Sequence, residues 1–465
     1  MIIESCNNYI IHKVTQILII MHYLSKINMQ TGQCMYKKQK VLRLSNIICI
    51  FAAESLIYAE HRFVTCRFTI VVNFKRKMMN RIFKWVSAAI RLLVLTTVFC
   101  GANVLTSCTT YSNDNPTAMM LGGRWDPQVQ SALNGLMSNC GEGSYAVFDF
   151  DQTSIVHDIT QALWVYQIEH LCFADAPIHD FLDGIPEPES LMPAMKTTYA
   201  EMGRVLSEEF ETMTARLEAG ESIESIWQSD VYLDFRARMH SLFEAMDEQW
   251  GSWVAYLWQP GLLAGYTEDE ARTLIHDAIL EHLGRDKLAV EQWKSPDGHW
   301  GGNVMRGIWV SPEMKELYRC LKAANIETYV CSASLELIVK VLACDPVLGF
   351  GLPADKVYGL RFVDGAKLIA KFDPQYKQPI KEGKVDCIKA YMTPAYGNTG
   401  PVLVAGDSNG DVPMLTAFPD MKYGLIIDVG RSETSAIGQL ATQARKEGNT
   451  GIYILQPSFE DTSPR

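Results

Sequence analysis

The sequence is poor in the residues that mark non-globular and nucleic-acid-binding chains. Glycine contributes 32 and proline 19 of its 465 residues, too few for a collagen-like or low-complexity chain. Lysine and arginine number 42 against 53 aspartates and glutamates, and the net charge of −11 argues against nucleic acid as the main partner. None of the six cysteines beyond residue 108 stands in a CxxC or Cys/His ligand spacing, so a structural zinc site is not expected.

Acidic residues are missing from one long stretch near the front of the chain, between Glu60 and Asp114. Residues 1–78 hold 11 lysines and arginines against 3 acids, and their apolar pieces show no helical or strand period over a domain length. A targeting signal begins directly after them, at Met79. Because such a signal belongs at the start of a nascent chain, we expect translation to begin at Met78 or Met79 and residues 1–78 to be spurious.

Residues 79–107 have the order of a secretory signal peptide, in which basic residues precede a short apolar run at 92–99. That run is too short for a comfortable bilayer span, which takes roughly 20 residues. It leads into Leu-Thr-Ser-Cys, which resembles a bacterial lipobox with Cys108 as the lipidated first residue of the mature chain. We expect an exported lipoprotein, in the periplasm or at the outer membrane, anchored through Cys108 and followed by a polar tether at 108–125. An uncleaved transmembrane helix is the alternative.

Beyond the tether, apolar strands alternate with amphipathic helices. The predicted strands are 145–149, 328–331, 401–405 and 424–427, and the predicted helices include 126–137, 158–170, 335–342 and 385–391. This alternation predicts an α/β fold with a Rossmann-like, doubly wound parallel sheet covered on both faces. Residues 156–309 interrupt it with long helical patterns. We therefore expect a core of 126–155 and 310–465 and a mainly α-helical cap inserted between its two parts.

Polar residues follow the ends of the predicted strands, where open parallel sheets bind their ligands. Asp149 and Asp151 follow the first strand, and alternate residues of an extended backbone share a face, so both carboxylates can reach one site. One could attack phosphorus while the other handles the leaving-group proton. A calcium loop is the alternative, but Thr153 and Ser154 stand where Asp or Asn and Gly would be required.

Two further residues are candidates for binding a phosphoryl oxygen. Ser332 follows the second strand at a strand-to-helix turn, where a hydroxyl and backbone N–H groups suit an anion. A plain helix cap is the alternative reading and fits Ser334 better. Lys384 opens a later helix and could offset the charge of the acids. Lys381 and Lys389 compete with it on sequence grounds, and an exposed lysine with no role is the alternative.

Asp407 and Asp411 follow the third strand in the segment Gly-Asp-Ser-Asn-Gly-Asp. Carboxylate oxygens are hard ligands that suit Mg²⁺, so these two acids could complete a magnesium site together with Asp149 and Asp151. A second calcium loop is the alternative. Val412 weakens it, because a calcium loop needs glycine at that position.

Taken in order, strand–DxDxT, strand–Ser, Gly–Lys and strand–GDxxxD resemble the haloacid dehalogenase superfamily, and its phosphatases in particular. The resemblance covers 145–155 and about 310–430, and the insert stands where that superfamily carries its first cap domain. A dehalogenase would have no clear use for Asp151, which can supply the proton that an alkoxide leaving group needs.

The resemblance implies a role for each motif. Asp149 would be the nucleophile that forms an aspartyl-phosphate, and Asp151 would protonate the leaving alcohol and then activate water. Asp149, the backbone carbonyl of Asp151 and Asp407 would hold Mg²⁺, with Asp411 supporting the metal shell. The remaining two motif residues would bind the phosphoryl group; they are Ser332 and Lys384.

Within the superfamily the chain resembles the phosphoserine phosphatase branch and, more closely, bacterial phosphorylcholine phosphatases, which are exported and have long caps. Asp158 stands where phosphoserine phosphatases place an acid that meets the substrate amine, with Asp in place of the usual Glu. A tryptophan-rich cap could hold a quaternary ammonium by cation–π contact, with Trp164 the best candidate. Thr153, at the end of the first motif, is the other residue expected beside the substrate.

These observations predict a Mg²⁺-dependent hydrolase of phosphate monoesters that acts on a small, amine-bearing substrate resembling phosphocholine. A phosphoserine phosphatase is the alternative within the same class. A lipid-anchored binding protein that keeps the fold without the chemistry is the alternative of another class. No nucleic acid and no protein partner is implied.

Overall fold

The computed structural model describes residues 121–174, 181–182 and 184–460. The predicted signal peptide, Cys108 and nearly all of the tether lie outside these residues. Among the helices that are described, none is long and apolar enough to cross a membrane. The six cysteines within the described part of the chain are all free thiols.

Within the described residues, eight strands make two sheets. In chain order they are β1 (Ser144–Phe148), β2 (Ala289–Lys294), β3 (Gly301–Arg306), β4 (Ile326–Leu335), β5 (Val357–Leu360), β6 (Leu403–Gly406), β7 (Tyr423–Asp428) and β8 (Tyr453–Pro457). Six of them form a sheet in the order β5-β4-β1-β6-β7-β8, with every neighbouring pair parallel. The predicted α/β class and doubly wound parallel sheet are therefore confirmed. Strands β2 and β3 pair antiparallel and form a separate hairpin.

The helices divide between the sheet and the insert. They are α1 (Pro127–Asn139), α2 (Ile159–His170), α3 (Tyr199–Glu218), α4 (Ile223–Trp227), α5 (Asp230–Trp250), α6 (Ser252–Gly261), α7 (Glu268–His282), α8 (Pro312–Ala323), α9 (Glu336–Ala343), α10 (Glu382–Tyr391), α11 (Val412–Thr416) and α12 (Ala436–Lys446). Short 3₁₀ turns occur at Arg285–Lys287, Ala354–Lys356 and Thr393–Tyr396.

Alternation along the central strand explains why helices cover both faces of the sheet. In β1, Ala146 and Phe148 belong to one buried cluster, to which α1, α8 and α9 contribute. Tyr145 and Val147 belong to a second cluster on the opposite face, built with α10, α11 and α12. Because successive side chains of a strand point to opposite faces, one strand supplies both layers of the core. After Ser144 the strand is buried without a break up to Asp149.

The insert has its own hydrophobic core, formed by α2, α3, α5, α6 and the β2–β3 hairpin. The helical patterns of the sequence correspond to α3, α5 and α7, but the hairpin is absent from the sequence-based prediction. Buried and exposed residues do not alternate along its strands, and in β2 only Trp293 is buried. The signal of a half-buried strand, a regular alternation of apolar and polar residues, is therefore missing from this segment.

The segment in which the chain leaves the core and the segment in which it returns lie side by side. Val156 and Trp309 form an isolated antiparallel bridge, with N···O distances of 2.8 and 3.2 Å. His157, the next residue, has a φ of 64° and a buried ring whose Nδ1 lies 3.0 Å from the carbonyl oxygen of Arg306. A left-handed backbone at a non-glycine residue is strained, and here the buried ring contact holds it. These contacts fix the insert over the carboxyl edge of the sheet.

Candidate active site

The first two acids stand at the carboxyl end of β1. Asp149 continues the ladder, because its N–H donates to the carbonyl of Ala405 in β6 at 2.9 Å. The backbone turns directly afterwards, where Ser154 and Ile155 donate N–H bonds to the carbonyl of Phe150. This turn directs Asp149 into the core site, where it is 7% exposed, and Asp151 toward the insert.

The fourth motif forms a tight turn after β6. The Oδ2 of Asp411 accepts hydrogen bonds from the N–H groups of Asp407 and Ser408, at 3.0 and 2.9 Å. Gly406 is required at the strand end because a Cβ there would lie 2.4 Å from the Cβ of Asp411. The turn therefore brings two buried carboxylates to the same edge of the sheet as Asp149.

Three buried carboxylates and one lysine meet at this edge. Asp149, Asp407 and Asp411 each offer a carboxylate oxygen within 4.8 Å of the others. The Nζ of Lys384, at the start of α10, lies 2.7 Å from Oδ1 of Asp149 and 2.5 Å from Oδ1 of Asp411. The structure thus selects Lys384 among the three lysines considered, while Lys381 and Lys389 are exposed.

The electrostatics of this cluster reflect burial and crowding of like charges. Burial and the neighbouring Asp411 raise the pKa of Asp149 to about 8, against the lowering effect of Lys384. Burial and Asp411 also raise the pKa of Asp407 to about 6, although Arg431 opposes the shift. The pKa of Lys384 is raised by the carboxylates of Asp149 and Asp411 against the effect of burial. One lysine does not neutralise three buried acids.

A divalent cation fits the donor set of this site. The hydroxyl of Thr153 donates a hydrogen bond to Oδ1 of Asp407 at 3.2 Å, and Nη2 of Arg431 donates to Oδ2 at 2.7 Å. The side chain of Arg431 is half exposed. Three hard carboxylates within 4.8 Å of one another, with a raised pKa at Asp149 and Asp407, indicate a shortage of positive charge that Mg²⁺ would fill. Both oxygens of Asp411 are already engaged by Lys384 and by the turn, so this residue organises the cluster.

Asp151 is held by the insert and by β4. Its Oδ1 accepts the N–H of Ile159 at 2.7 Å, and its Oδ2 accepts the hydroxyl of Ser334 at 2.6 Å. Thr160 donates in turn to Ser334, at 2.9 Å. Burial and the charge of Asp158 raise the pKa of Asp151 well above its usual value, despite these two hydrogen bonds. A protonated carboxyl at this position is suited to general-acid work at neutral pH.

Asp158 begins the insert as the N-cap of α2, where its Oδ1 accepts the N–H of Gln161 at 2.8 Å. Burial raises its pKa, against the lowering effect of the backbone N–H groups of Gln161 and Thr160. Its charge acts on Asp151, so the two acids share one corner of the site. The cap role uses one oxygen of the carboxylate and gives a structural reason for an aspartate at this position.

Ser332 lies in β4 beside the first motif and is 1% exposed. Its Oγ accepts the N–H of Ser334 at 3.0 Å, within a register shift of the β4–β5 pairing between Cys331 and Leu335. Such a bulge re-aims side chains at a strand end. The sequence favoured Ser334 as a helix cap, and this is wrong: the strand continues to Leu335, and Ser334 bonds Asp151 instead.

Trp164 and Thr153, which were both expected beside the substrate, make other contacts in the structure. Trp164 is 1% exposed and packs against Trp293 in the core of the insert, with ring centroids 5.5 Å apart, so it cannot face a ligand in this conformation. The apolar stripe of α2 explains the burial, because this part of the helix faces the hairpin. Thr153 directs its hydroxyl at Asp407 and ties the first motif to the fourth.

Three residues at the site were missed by sequence reasoning. Ser334 contacts Asp151 directly, and Arg431 contacts Asp407. Arg431 follows the carboxyl end of β7, the edge at which open parallel sheets bind their ligands. Tyr256 of α6 is 37% exposed, and burial of its hydroxyl and the charge of Asp158 raise its pKa to about 12. No sequence signal separates Tyr256 from the other aromatic residues of the insert.

Comparisons with known proteins agree with this architecture. Residues 228–416 match the family of haloacid dehalogenase-like hydrolases. A phosphorylcholine phosphatase of Pseudomonas aeruginosa is 26% identical over 312 residues, which are 61% of this chain and 74% of that protein. The crystal structure of a conserved protein of unknown function from Anaerococcus prevotii DSM 20548 has a TM-score of 0.65 and 25% identity, over 75% of this chain and 99% of that one.

The matched family segment contains the second, third and fourth motifs, and the first motif precedes it. The geometry joins them, since Asp149 contacts Lys384 directly and shares one carboxylate cluster with Asp407. The chain therefore carries a haloacid dehalogenase-like hydrolase domain and is a hydrolase of the phosphatase class.

Proposed function

We propose that this protein hydrolyses small, amine-bearing phosphate monoesters through an aspartyl-phosphate on Asp149, with Mg²⁺ as its cofactor. One observation carries the proposal. Asp149 is buried against Lys384 at 2.7 Å, inside a cluster of carboxylates, while Asp151 lies two residues away and is held by separate hydrogen bonds. The two acids thus have different environments and can take different roles.

In the first half of the reaction a carboxylate oxygen of Asp149 attacks phosphorus, and the bond from phosphorus to the ester oxygen breaks. Asp151 gives its proton to that leaving oxygen, which departs as the alcohol. In the second half Asp151, now ionised, takes a proton from water, whose oxygen attacks the phosphorus and displaces the carboxylate of Asp149. Lys384 holds a phosphoryl oxygen, and its charge offsets the negative charge that gathers there.

Asp149, the main-chain carbonyl of Asp151 and Asp407 would hold the magnesium ion. When bound, Mg²⁺ supplies charge neutralisation for the phosphoryl oxygens and lowers the pKa of the carboxylates around it. Arg431 contacts Asp407 from the solvent side and would have to share that carboxylate with the ion.

A cationic leaving group fits the charges on the insert side of the site. The charge of Asp158 acts on Asp151 there, and the charges of Asp158, Asp247 and Lys384 act on the hydroxyl of Tyr256. An acid–aromatic surround suits an ammonium, which gains from carboxylate charge and from the face of an aromatic ring. The similarity to a phosphorylcholine phosphatase supports the same class of substrate.

The test compares the full-length chain with an Asp149→Asn variant. Phosphate release is measured in the presence of Mg²⁺ from phosphocholine, phosphoethanolamine, phosphoserine and 3,3-dimethylbutyl phosphate. The alcohol portion of the last ester has the shape of choline but no positive charge. We expect the wild type to prefer phosphocholine over 3,3-dimethylbutyl phosphate at least tenfold in kcat/KM, and the variant to be inactive. A preference for phosphoserine would assign Asp158 as the partner of a primary amine. Absence of phosphate release from every ester would instead support the binding-protein alternative.

We also propose that the protein is exported and held at a membrane by lipid on Cys108. The support is the sequence order of basic residues, apolar run and lipobox-like Leu-Thr-Ser-Cys. In a bacterial host, metabolic labelling with a radioactive fatty acid should mark the wild type in the membrane fraction. A Cys108→Ser variant should be unlabelled, and equal labelling of both would contradict the proposal.

A further inference from the structure

Two helices of the described chain end side by side with the same dipeptide. Helix α2 closes on Glu169 and His170, and α7 closes on Glu281 and His282. The carbonyl ends of helices carry partial negative charge, so two converging C-termini favour a cation between them. Neither dipeptide takes part in the reaction described above.

Three of these four side chains come together closely enough to share one ion. The Nε2 of His170 lies 3.1 and 3.3 Å from the two carboxylate oxygens of Glu281. A ring nitrogen of His282 and one oxygen from each of Glu169 and Glu281 lie within 4.8 Å of one another. Ligand atoms about 2.0 Å from a tetrahedral zinc ion are about 3.3 Å apart, so these three atoms would have to draw together by up to about 1.5 Å.

One ring nitrogen of His282 is buried without a hydrogen bond to any described residue. The residue is 4% exposed, and this nitrogen is its Nε2. Leaving a buried imidazole nitrogen unpaired costs free energy that a ligand would recover.

The surrounding charges do not close the site to a cation. Arg306 binds both oxygens of Glu169 and also donates to Glu291 at 2.9 Å, and Arg236 contacts Glu291 at 2.9 Å. Glu169, Glu281 and Glu291 balance Arg306, Arg236 and Lys287, whose charge also acts on His282, so the surroundings carry no excess positive charge. Arg306 can keep one oxygen of Glu169 and orient it, as residues behind metal ligands commonly do.

We infer that Glu169, Glu281 and His282 form a second metal site, separate from the catalytic cluster, that takes one Zn²⁺ or a similar imidazole-binding cation, while His170 orients Glu281. The ligands are one imidazole and two carboxylates, and the imidazole favours zinc-like ions over Mg²⁺. This site has no sequence signal, because the cysteine spacings do not suit zinc and the proposed ligands come from segments more than a hundred residues apart. The ion would join the far end of α2 to α7 and so steady the helix whose first turn binds Asp151.

The test uses the full-length chain with Asp407→Asn, which weakens the catalytic cluster as a rival site, after treatment with a chelator. Equilibrium dialysis with Zn²⁺ should give one ion per chain, and Co²⁺ should give the strong visible absorption of a tetrahedral complex. His282→Ala in this background should weaken zinc binding more than about 100-fold. His276→Ala, on the exposed face of the same helix, is the matched control and should bind as the parent does.

Two results would overturn the site: no saturable Zn²⁺ in the parent chain, or equal affinity in the parent and in His282→Ala. Circular dichroism checks that His282→Ala folds. If it does not, Glu281→Gln changes a half-exposed ligand instead, keeps the size of the side chain and must lower zinc affinity. Unchanged affinity in Glu281→Gln would then count against the site.

Discussion

The N–H of Ile159 donates to Oδ1 of Asp151 at 2.7 Å, so the first turn of the insert binds the residue that serves as general acid in the proposed reaction. The hydroxyl of Ser334, from the core, holds the other oxygen of the same carboxylate at 2.6 Å. Asp151 is therefore fixed from both sides of the boundary between core and insert. Any displacement of α2 would change its position or its pKa.

The effect of replacing Asp151 on the rate should depend on how much the leaving group needs a proton. In Asp151→Asn we expect kcat for phosphocholine to fall about 10²–10⁴-fold, because an alkoxide leaves poorly without protonation. With p-nitrophenyl phosphate, whose leaving phenolate is stable, the first step should be much less affected. Burst and steady-state phases of p-nitrophenol release measure the two steps separately. Equal losses of first-step rate for both esters would contradict the acid role.

Removing the hydroxyl of Ser334 should shift the pH profile upward. Asp151 must hold a proton to act as acid, so the rate falls as pH rises through its pKa, which burial has already raised. Ser334 stabilises the ionised form and lowers that pKa, so Ser334→Ala should move the alkaline limb of kcat/KM to higher pH. The profile is measured across neutral and alkaline pH. A limb that stays in place would mean that the hydroxyl positions Asp151 without tuning it.

Replacement of Lys384 should cost both activity and stability. Lys384→Met leaves the buried carboxylates of Asp149 and Asp411 without their cation, which should lower the free energy of unfolding by about 3 kcal/mol in metal-free buffer. The loss should be larger near about pH 9 than near about pH 6, because Asp149 with a pKa of about 8 is mostly protonated at the lower pH. Urea unfolding at the two pH values measures it.

The matched control for that experiment is Lys389→Met, which lies on the same helix and is exposed. It should leave activity and unfolding unchanged. A Lys384→Met variant as stable as the control at both pH values would show that the pair with Asp149 contributes nothing to the fold.

Tyr256 should discriminate charged from uncharged leaving groups. In Tyr256→Ala we expect KM for phosphocholine to rise about tenfold, the scale of one cation–π contact, and KM for 3,3-dimethylbutyl phosphate to change little. Trp164→Phe should lower thermal stability without changing either KM, because that ring belongs to the core of the insert. A rise in KM for phosphocholine in Trp164→Phe alone would restore Trp164 as the ammonium partner.

The core of the fold could be predicted from the sequence because several of its strands are apolar runs followed by an acid or, in β4, by a serine. β1, β4, β6 and β7 were all recognisable in this way. β5 and β8 lack that pattern, because β5 is followed by Arg361 and β8 ends in Gln456 and Pro457. The β2–β3 hairpin was missed because most of its residues are at least partly exposed, so neither strand carries a buried face to read.

The site shows a similar division. Acids that follow strands come together at the carboxyl edge of a parallel sheet, so the meeting of Asp149, Asp407 and Asp411 could be predicted from topology. Contacts that arise from packing between distant segments could not. Ser334 reaches Asp151 only because a bulge re-aims the end of β4, and the burial of Trp164 depends on a hairpin that starts more than a hundred residues later.

The central claim is that Asp149 is the nucleophile. The most direct test mixes enzyme with phosphocholine and Mg²⁺, stops the reaction with acid within one turnover, and digests the protein for mass spectrometry. We predict a phosphate group on the peptide that contains Asp149, and none in Asp149→Asn. Rapid turnover with no phosphate on that peptide, or with phosphate on another residue, would contradict the account.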